Sequence, residues 1–370
     1  MMRKVWASGH KWIGLIAGIL LTITCATGVL LSFEKEIIPL TIHKIYYAAP
    51  NSSEPLKMVS LLTELQKEES GKSVKSITYP ADPARNLVVR FADSPDEEVY
   101  VDPYTGKVVG SFIYKGSFFS VVRELHRFLL MGTTGRVIVG SATLCFVIIL
   151  LSGLFLRLPV SLRKLPRLFR FQWQGNVFRK TYMLHAVLGM YAFVFLLIMS
   201  LTGPFWSFSW YNKGLSSLFG IGQTTSNRKA NKDAVVKVKQ LAASDFSLMS
   251  DKLSALAEVQ SDWKEMRLTF PDIREKSFSI SVIPMRQIHG RQSDTYTYDL
   301  KTGNLEKESV FKNKPLQETF RMWVFAVHTG SWGGWFVKLL YGIAALIGAT
   351  LPITGYLLWW KKRTISKRKK

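Results

Sequence analysis

Six histidines occur in the chain, and four of them fall into related pairs. A shift of 175 residues sets His10 on His185, Gly14 on Gly189, Lys4 on Arg179, Thr27-Gly28 on Thr202-Gly203 and Ser32-Phe33 on Ser207-Phe208. A shift of 202 sets His126 on His328, Gly132 on Gly334, Arg136 on Lys338, Gly140 on Gly342 and Ser152-Gly153 on Thr354-Gly355. Imidazole titrates near neutral pH and, when neutral, ligates metals through a ring nitrogen. His10 and His185 each lie six residues past a cation and inside an apolar run, which on a helix is ~9 Å of depth. An ionisable group at that depth needs a partner and is a candidate functional site.

A lone histidine there reads as a helix-interface residue bonded to a serine or a carbonyl. The duplication changes that reading, because a pseudo-two-fold axis makes His10 face His185 and His126 face His328. Two opposed neutral imidazoles suit a metal, and haem iron fits best because it takes axial ligands from opposite sides. Zinc wants four ligands, and no Cys, Asp or Glu completes a set near His10 and His185. Copper and a simple proton relay stay open as alternatives. Gly14 and Gly189 share a helix face with their histidines and leave room for a flat ligand. Gly28, Gly203, Gly153 and Gly355 would line the sites from the other helices, or simply let helices approach closely. Arg136 and Lys338 are candidates for holding acidic groups of the outer cofactor, with Lys11, Arg179 or Lys180 at the inner one; as interface residues they also read as snorkelling cations.

These residues need helices in a membrane to position them. Hydrophobic content of 48% in 370 residues is high for a soluble enzyme, and four apolar runs reach the ~20 residues that cross a bilayer. They are about 12–33, 137–158, 186–208 and 339–360. Lysine and arginine collect in three segments free of acid: three in the N-terminal flank, seven in the connector from Arg157 to Lys180, and seven in the tail from Lys361. By the positive-inside rule these face the cytoplasm, and they carry most of the net charge of +23, which therefore reports topology and not nucleic-acid binding. The first run is longer than a signal-peptide core and has an internal duplicate, so it reads as an uncleaved span. Cys25 and Cys145 lie in spans and no C-x-x-C-H occurs, so a haem here would be held noncovalently.

The two long segments between spans read as small α+β units. In the first, 61–67 is helical, 86–91 is a strand and 97–109 holds a hairpin around Gly106. In the second, 234–259 is helix-rich, 265–270 and 277–283 alternate like strands, and 294–305 repeats the turn, with Asp299, Thr302 and Gly303 matching Asp102, Thr105 and Gly106. The expected fold is an integral membrane α-helical protein with four transmembrane helices in two tandem repeats and two periplasmic α+β domains. The boundaries are a span in 1–33, a domain over 34–116, a histidine segment and span over 117–158, a basic loop over 159–183, a span over 184–208, a domain over 209–317, a histidine segment and span over 318–360, and a basic tail over 361–370. His43 and His289 have no repeat partner; His289, Trp263, Arg267 and Tyr296 are weak candidates for substrate contact.

At His10-x3-Gly14, Leu125-His126-Arg127 with Gly132, the Tyr-x-Asp-x-x-Thr-Gly turns and His185-x3-Gly189, the chain resembles the PepSY-associated transmembrane family. Members pair membrane spans with periplasmic PepSY domains and include inner-membrane ferric-siderophore reductases. The resemblance implies two b-type haems, with iron ligands His10 and His185 in one and His126 and His328 in the other. It also implies electron flow from the cytoplasmic side of the bacterial inner membrane to a ferric siderophore in the periplasm. Val327-His328-Thr329 does not repeat the neighbours of His126.

No glycine-rich dinucleotide fingerprint occurs, so the electron donor is a quinol, a reduced flavin or a cytoplasmic reductase. Two alternatives remain: a cofactor-free scaffold binding a protease, peptide or transporter, and a cytochrome donating to a periplasmic protein. A continuous helix from His126 to Arg136 would set the histidine ~15 Å above that cation; a bend at Gly132 or Gly135 would bring it closer to the inner site.

Overall fold

The computed structural model describes residues 2–49, 54–69, 71–159, 161–222, 241–287 and 292–367. In chain order the main elements are α1 (Met2–Ser32), α2 (Met58–Glu68), β1 (Val74–Pro80), β2 (Leu87–Phe91), β3 (Glu97–Val101), β4 (Val108–Ile113), α3 (Phe118–Phe128), α4 (Gly132–Arg157), α5 (Val177–Thr202), α6 (Ala243–Val259), β5 (Trp263–Thr269), β6 (Ser277–Pro284), β7 (Asp294–Asp299), β8 (Leu305–Ser309), α7 (Leu316–Thr329) and α8 (Gly334–Lys367). They form two compact units. One holds the long helices with α3 and α7, and the other holds the strands with α2 and α6.

Among the described residues four helices are long and apolar enough to cross a membrane: α1, α4, α5 with its continuation to Trp206, and α8 with the turn before it. α1 starts ten residues before its apolar run, because Arg3, Lys4 and Lys11 are good helix formers and nothing in that flank breaks the helix. α1 and α5 each pack against both α4 and α8, so α1 faces α5 across one diagonal of the bundle. Small residues, Ala17, Ala142, Ala192 and Ala344, share the bundle core with Leu21, Phe146, Leu150 and Leu196, and they let the helices close up without a hydrophobic driving force between them.

The histidine helices do not continue the spans. After α3 the chain passes through positive φ at Leu129 (48°), Leu130 (60°) and Gly132 (55°), which an α-helix cannot accommodate, and it reverses into α4. Gly135 makes the reversal tight, since a Cβ there would lie 1.6 Å from the Phe128 carbonyl oxygen. α3 therefore packs back against α1 and α4. Of the two arrangements open for His126, a continuous helix ~15 Å beyond Arg136 or a bend at Gly132 or Gly135, the chain takes the bend. α7 ends similarly, at Gly330 with φ of 73°.

In the second unit all eight strands lie in one antiparallel sheet, in the order β4-β3-β2-β1-β5-β6-β7-β8. Two separate outer domains were expected; instead β1 and β5 pair directly, Ile77 opposite Leu268 and Thr78 opposite Arg267. Each four-stranded half would otherwise present an edge of unpaired backbone groups, and joining the halves removes both edges. One core spans the seam: Leu61 and Leu65 of α2 and Met249 of α6 pack with Ile77, Val89, Phe91, Met266, Leu268, Phe278 and Ile280. The β1 strand was missed because Val74–Pro80 mixes polar residues into a central position.

The repeated turns behave as the sequence suggests. Asp102 Oδ1 accepts from the backbone of Tyr104 at 2.7 Å, and Asp299 Oδ1 accepts from Thr302 at 2.7 Å. The segment Ser209–Leu218, expected in the second outer domain, belongs instead to the bundle unit. It folds as a short helix whose Tyr211 and Leu215 pack on Phe205, Phe320 and Val324. Because Ile77 and Leu268 are both fully buried at the seam, Leu268→Ala should destabilise the sheet unit by about 2–5 kcal/mol. Thermal unfolding of the full chain, followed by tryptophan fluorescence, reads this as a lowered first transition.

Candidate functional site

Each of the four paired histidines is held in the same way by a neighbouring helix. His10 Nδ1 lies 3.0 Å from the Ile149 carbonyl and 2.9 Å from Ser152 Oγ. His185 Nδ1 lies 3.1 Å from the Leu351 carbonyl and 2.9 Å from Thr354 Oγ1. His126 Nδ1 lies 2.9 Å from the Thr24 carbonyl and 3.1 Å from Thr27 Oγ1, and His328 Nδ1 lies 2.8 Å from Thr202 Oγ1. Each hydroxyl spends its own proton on a carbonyl of its helix, so it can only accept from the imidazole. A carbonyl likewise only accepts. The proton therefore sits on Nδ1, and each Nε2 carries a free lone pair, the arrangement that fixes tautomer and ring orientation in metal-ligating histidines.

The residue after each hydroxyl is glycine, and space explains it. A Cβ at Gly153 would lie 3.2 Å from His10 Cε1, at Gly28 3.2 Å from His126 Cε1, at Gly355 3.6 Å from His185 Cε1 and at Gly203 3.7 Å from His328 Cε1. Sequence reasoning singled out these Ser/Thr-Gly pairs as close-packing positions and possible linings. The reading of such a histidine as bonded to a serine or a carbonyl holds at every Nδ1; which hydroxyl serves which ring is known only once the bundle is assembled.

The rings of His10 and His185 face one another with centroids 6.2 Å apart and planes at 89°. Neither Nε2 has a hydrogen-bond partner among the described residues, and both histidines border a cavity of about 360 Å³, within the ~300–1,000 Å³ of ordinary small-molecule sites. Gly14 and Gly189 line it. A Cβ on Gly14 would meet nothing within 4 Å, and one on Gly189 would only reach Leu351 at 3.7 Å, so both open the space beside the imidazoles. Its walls are apolar, with Phe146, Phe193, Met190 and Trp359, and its cations are Lys11, Arg157 and Lys362. Of the cations expected here, Lys11 is present, while Arg179 bonds to Gln172 instead and neither Arg179 nor Lys180 borders the cavity. Arg157 was overlooked because it ends α4, and only the bundle turns that end toward His10. Its Nε is buried without a partner.

These observations fit a haem-sized planar ligand. The donor set is two neutral imidazoles, and the cradle is one that two glycines keep open. No third His, Cys, Asp or Glu joins either pair among the described residues.

His126 and His328 sit outside the long spans, on α3 and α7, yet their anchors are Thr24 and Thr27 of α1 and Thr202 of α5. Burial, and then the neighbouring His126, hold His328 down at about 4; burial likewise pushes His126 below the usual histidine range. Both are neutral at physiological pH. Their surroundings differ, since Trp206 packs edge-on against His328 with centroids 5.5 Å apart, whereas the corresponding residue of the first half is Leu31. Arg136 is half-buried with its Nε unpartnered, and Lys338 Nζ lies 5.5 Å from the Phe33 ring. The two histidine levels are 14 residues apart along α1, from His10 to Thr24, or ~21 Å.

Of the weaker candidates, Tyr296 belongs to the sheet core, Trp263 packs against it, His43 lies tilted against Tyr47, and His289 lies outside the described residues. In comparison with known proteins, the family described as the PepSY-associated TM region matches residues 7–362. No curated protein matches the chain.

Proposed function

We propose a function for a chain that belongs to the PepSY-associated TM family: it is a membrane oxidoreductase that holds two b-type haems and reduces the Fe(III) of a siderophore complex by one electron. The single observation that carries this reading is the opposed His10–His185 pair, each ring fixed through Nδ1 and presenting a free Nε2 to a glycine-lined cavity. His10 and His185 would hold one haem and His126 and His328 the other. Bound there, haem iron supplies a one-electron carrier whose potential is set by its axial ligands and their hydrogen bonds.

The chain's own residues do the rest. Ser152, Thr354, Thr27 and Thr202 lock the four rings, which keeps reorganisation on electron transfer small. Lys11, Arg157 and Lys362 place positive charge where an acidic edge of the ligand would lie. Phe193 borders the cavity at one level and Trp206 touches His328 at the other, so aromatic side chains stand on the ~21 Å between them. Reduction weakens the hold of hard oxygen donors on iron, which favours release of Fe(II).

The basic flanks of the four spans support a reading in which the His10 end lies at the cytoplasm and the sheet unit in the periplasm of a bacterial inner membrane. The two halves descend from a duplication, a reading supported by the four equivalent histidine anchors and by the symmetric strand order about β1 and β5. Electrons come from a quinol, a reduced flavin or a partner reductase.

The first test is the optical spectrum of the purified protein, where we expect a Soret band and an α-band that sharpens on reduction. Their absence overturns the reading and leaves a cofactor-free scaffold. Stopped-flow mixing of the reduced protein with ferric siderophores then tests the acceptor, and no reoxidation by any of them would favour a periplasmic protein acceptor.

A further inference from the structure

The sheet has two faces of different chemistry. α2 and α6 cover the apolar one, and neither covers the other. Strand alternation and register place Thr78 opposite Arg267, Arg267 opposite Ser281, and Ser281 opposite Thr295 on that second face. In the next row Arg90 is opposite Ser76, and beyond it Thr269, Ser279 and Thr297 follow in register.

Three arginines bear on this face, and their partners differ. Arg85 pairs with Glu265 at 2.9 Å and lies over the Tyr46 ring. Arg90 pairs with Glu98. Arg267 sits on β5 at the seam, half-buried, and among the described residues it has no carboxylate. Its one hydrogen bond runs from Nε to Thr78 Oγ1 at 3.2 Å, which leaves the terminal amino groups of the guanidinium uncommitted. Burial first, and then repulsion from Arg90, push its pKa down, but a guanidinium stays charged. Glu265 and Glu98 act on that charge from a distance, and each of them pairs with another arginine, Arg85 or Arg90. A planar fork of donors, ringed by hydroxyls, matches an oxyanion presented from outside the sheet.

We propose that the sheet face opposite α2 and α6, around Arg267 at the seam, binds an anionic, oxygen-rich ligand. Under the reductase reading, on which this identification rests, the ligand is a ferric chelate of net negative charge, held by Arg267 with the hydroxyls of Ser281 and Thr295. A cationic chelate would meet the Arg267 guanidinium and be disfavoured.

The test uses the full chain in detergent and gallium(III) citrate, a redox-inert analogue of an anionic ferric chelate, titrated by calorimetry. The wild type should bind it, with affinity falling as salt rises from about 50 to about 500 mM. Arg267→Gln should weaken binding about tenfold or more, and Arg267→Lys should recover part of that loss by restoring the charge without the fork. A gallium(III) trishydroxamate carrying a free ammonium should bind the wild type more weakly and be indifferent to Arg267→Gln. Unchanged affinity in Arg267→Gln, or tighter binding of the cationic complex, overturns the proposal. If Arg267→Gln fails to fold, as thermal unfolding would report, Arg267→Lys and the salt dependence decide: full wild-type affinity in the lysine variant with no salt effect overturns it. Because gallium accepts no electron, the two readings fail separately. Binding without a Soret band sinks the reductase and keeps the anion site, whereas two haems without binding do the reverse.

Discussion

His185→Ala protein is expected to purify with about one haem per chain where the parent carries about two. The ring it removes is one of two that face each other at 6.2 Å, so His10 is left with no opposed donor. The effect should be confined to that level. His126 and His328 take their anchors from Thr24, Thr27 and Thr202, ~21 Å away along α1, and no side chain is shared between the two levels. His10→Ala should match His185→Ala, His126→Ala and His328→Ala should lose the other haem, and His185→Ala/His328→Ala should lose both. Pyridine haemochrome stoichiometry against protein concentration measures this directly. Equal loss of both haems in every single variant would falsify the assignment of separate pairs.

The second large effect comes from filling the cradle while leaving the ligands alone. Gly14→Phe or Gly189→Phe should abolish binding at the His10–His185 level, again leaving about one haem per chain, without unfolding the bundle. The first atom of a new side chain is tolerated at both sites, since Gly14 has nothing within 4 Å and Gly189 only Leu351 at 3.7 Å. The ring beyond it then grows into the cavity of about 360 Å³. Gly14→Ala, by the same geometry, should keep most of the haem. Gly153→Leu differs in kind, because its Cβ would already lie 3.2 Å from His10 Cε1 and push the imidazole itself. Haem content alongside a thermal unfolding curve separates the outcomes; retention of full haem by Gly14→Phe would mean the ligand does not occupy this cavity.

Much of the bundle was legible beforehand because membranes impose a strong rule. Long apolar runs have few alternatives in lipid, and four of them marked four helices with ends displaced by up to about three turns. The paired histidines were legible because the two shifts, 175 and 202, align rare residue types and not merely leucines. The Asp102–Gly106 and Asp299–Gly303 turns were legible because a local hydrogen bond and a positive φ are written in adjacent residues.

The misses share a cause. A bend at Gly132 or Gly135 was open from the glycines, but the reversal also puts Leu129 and Leu130 in a conformation their side chains disfavour, and packing against α1 and α4 has to supply the reason for that. The β1–β5 seam joins residues about 190 apart, a distance over which sequence pattern carries no pairing information. Arg157 and the orienting hydroxyls belong to helices adjacent in space and remote in the chain.

The sequence by itself determined which segments enter lipid, which four imidazoles are equivalent, and which glycines stand beside them, because hydrophobicity, residue identity and helical spacing are local properties. Only the tertiary structure decided how close the His10 and His185 rings come, with centroids 6.2 Å apart, which hydroxyl claims each Nδ1, and that Arg267 lies at the seam of a shared sheet. Those are relations between surfaces, and they exist only after the chain has chosen its neighbours.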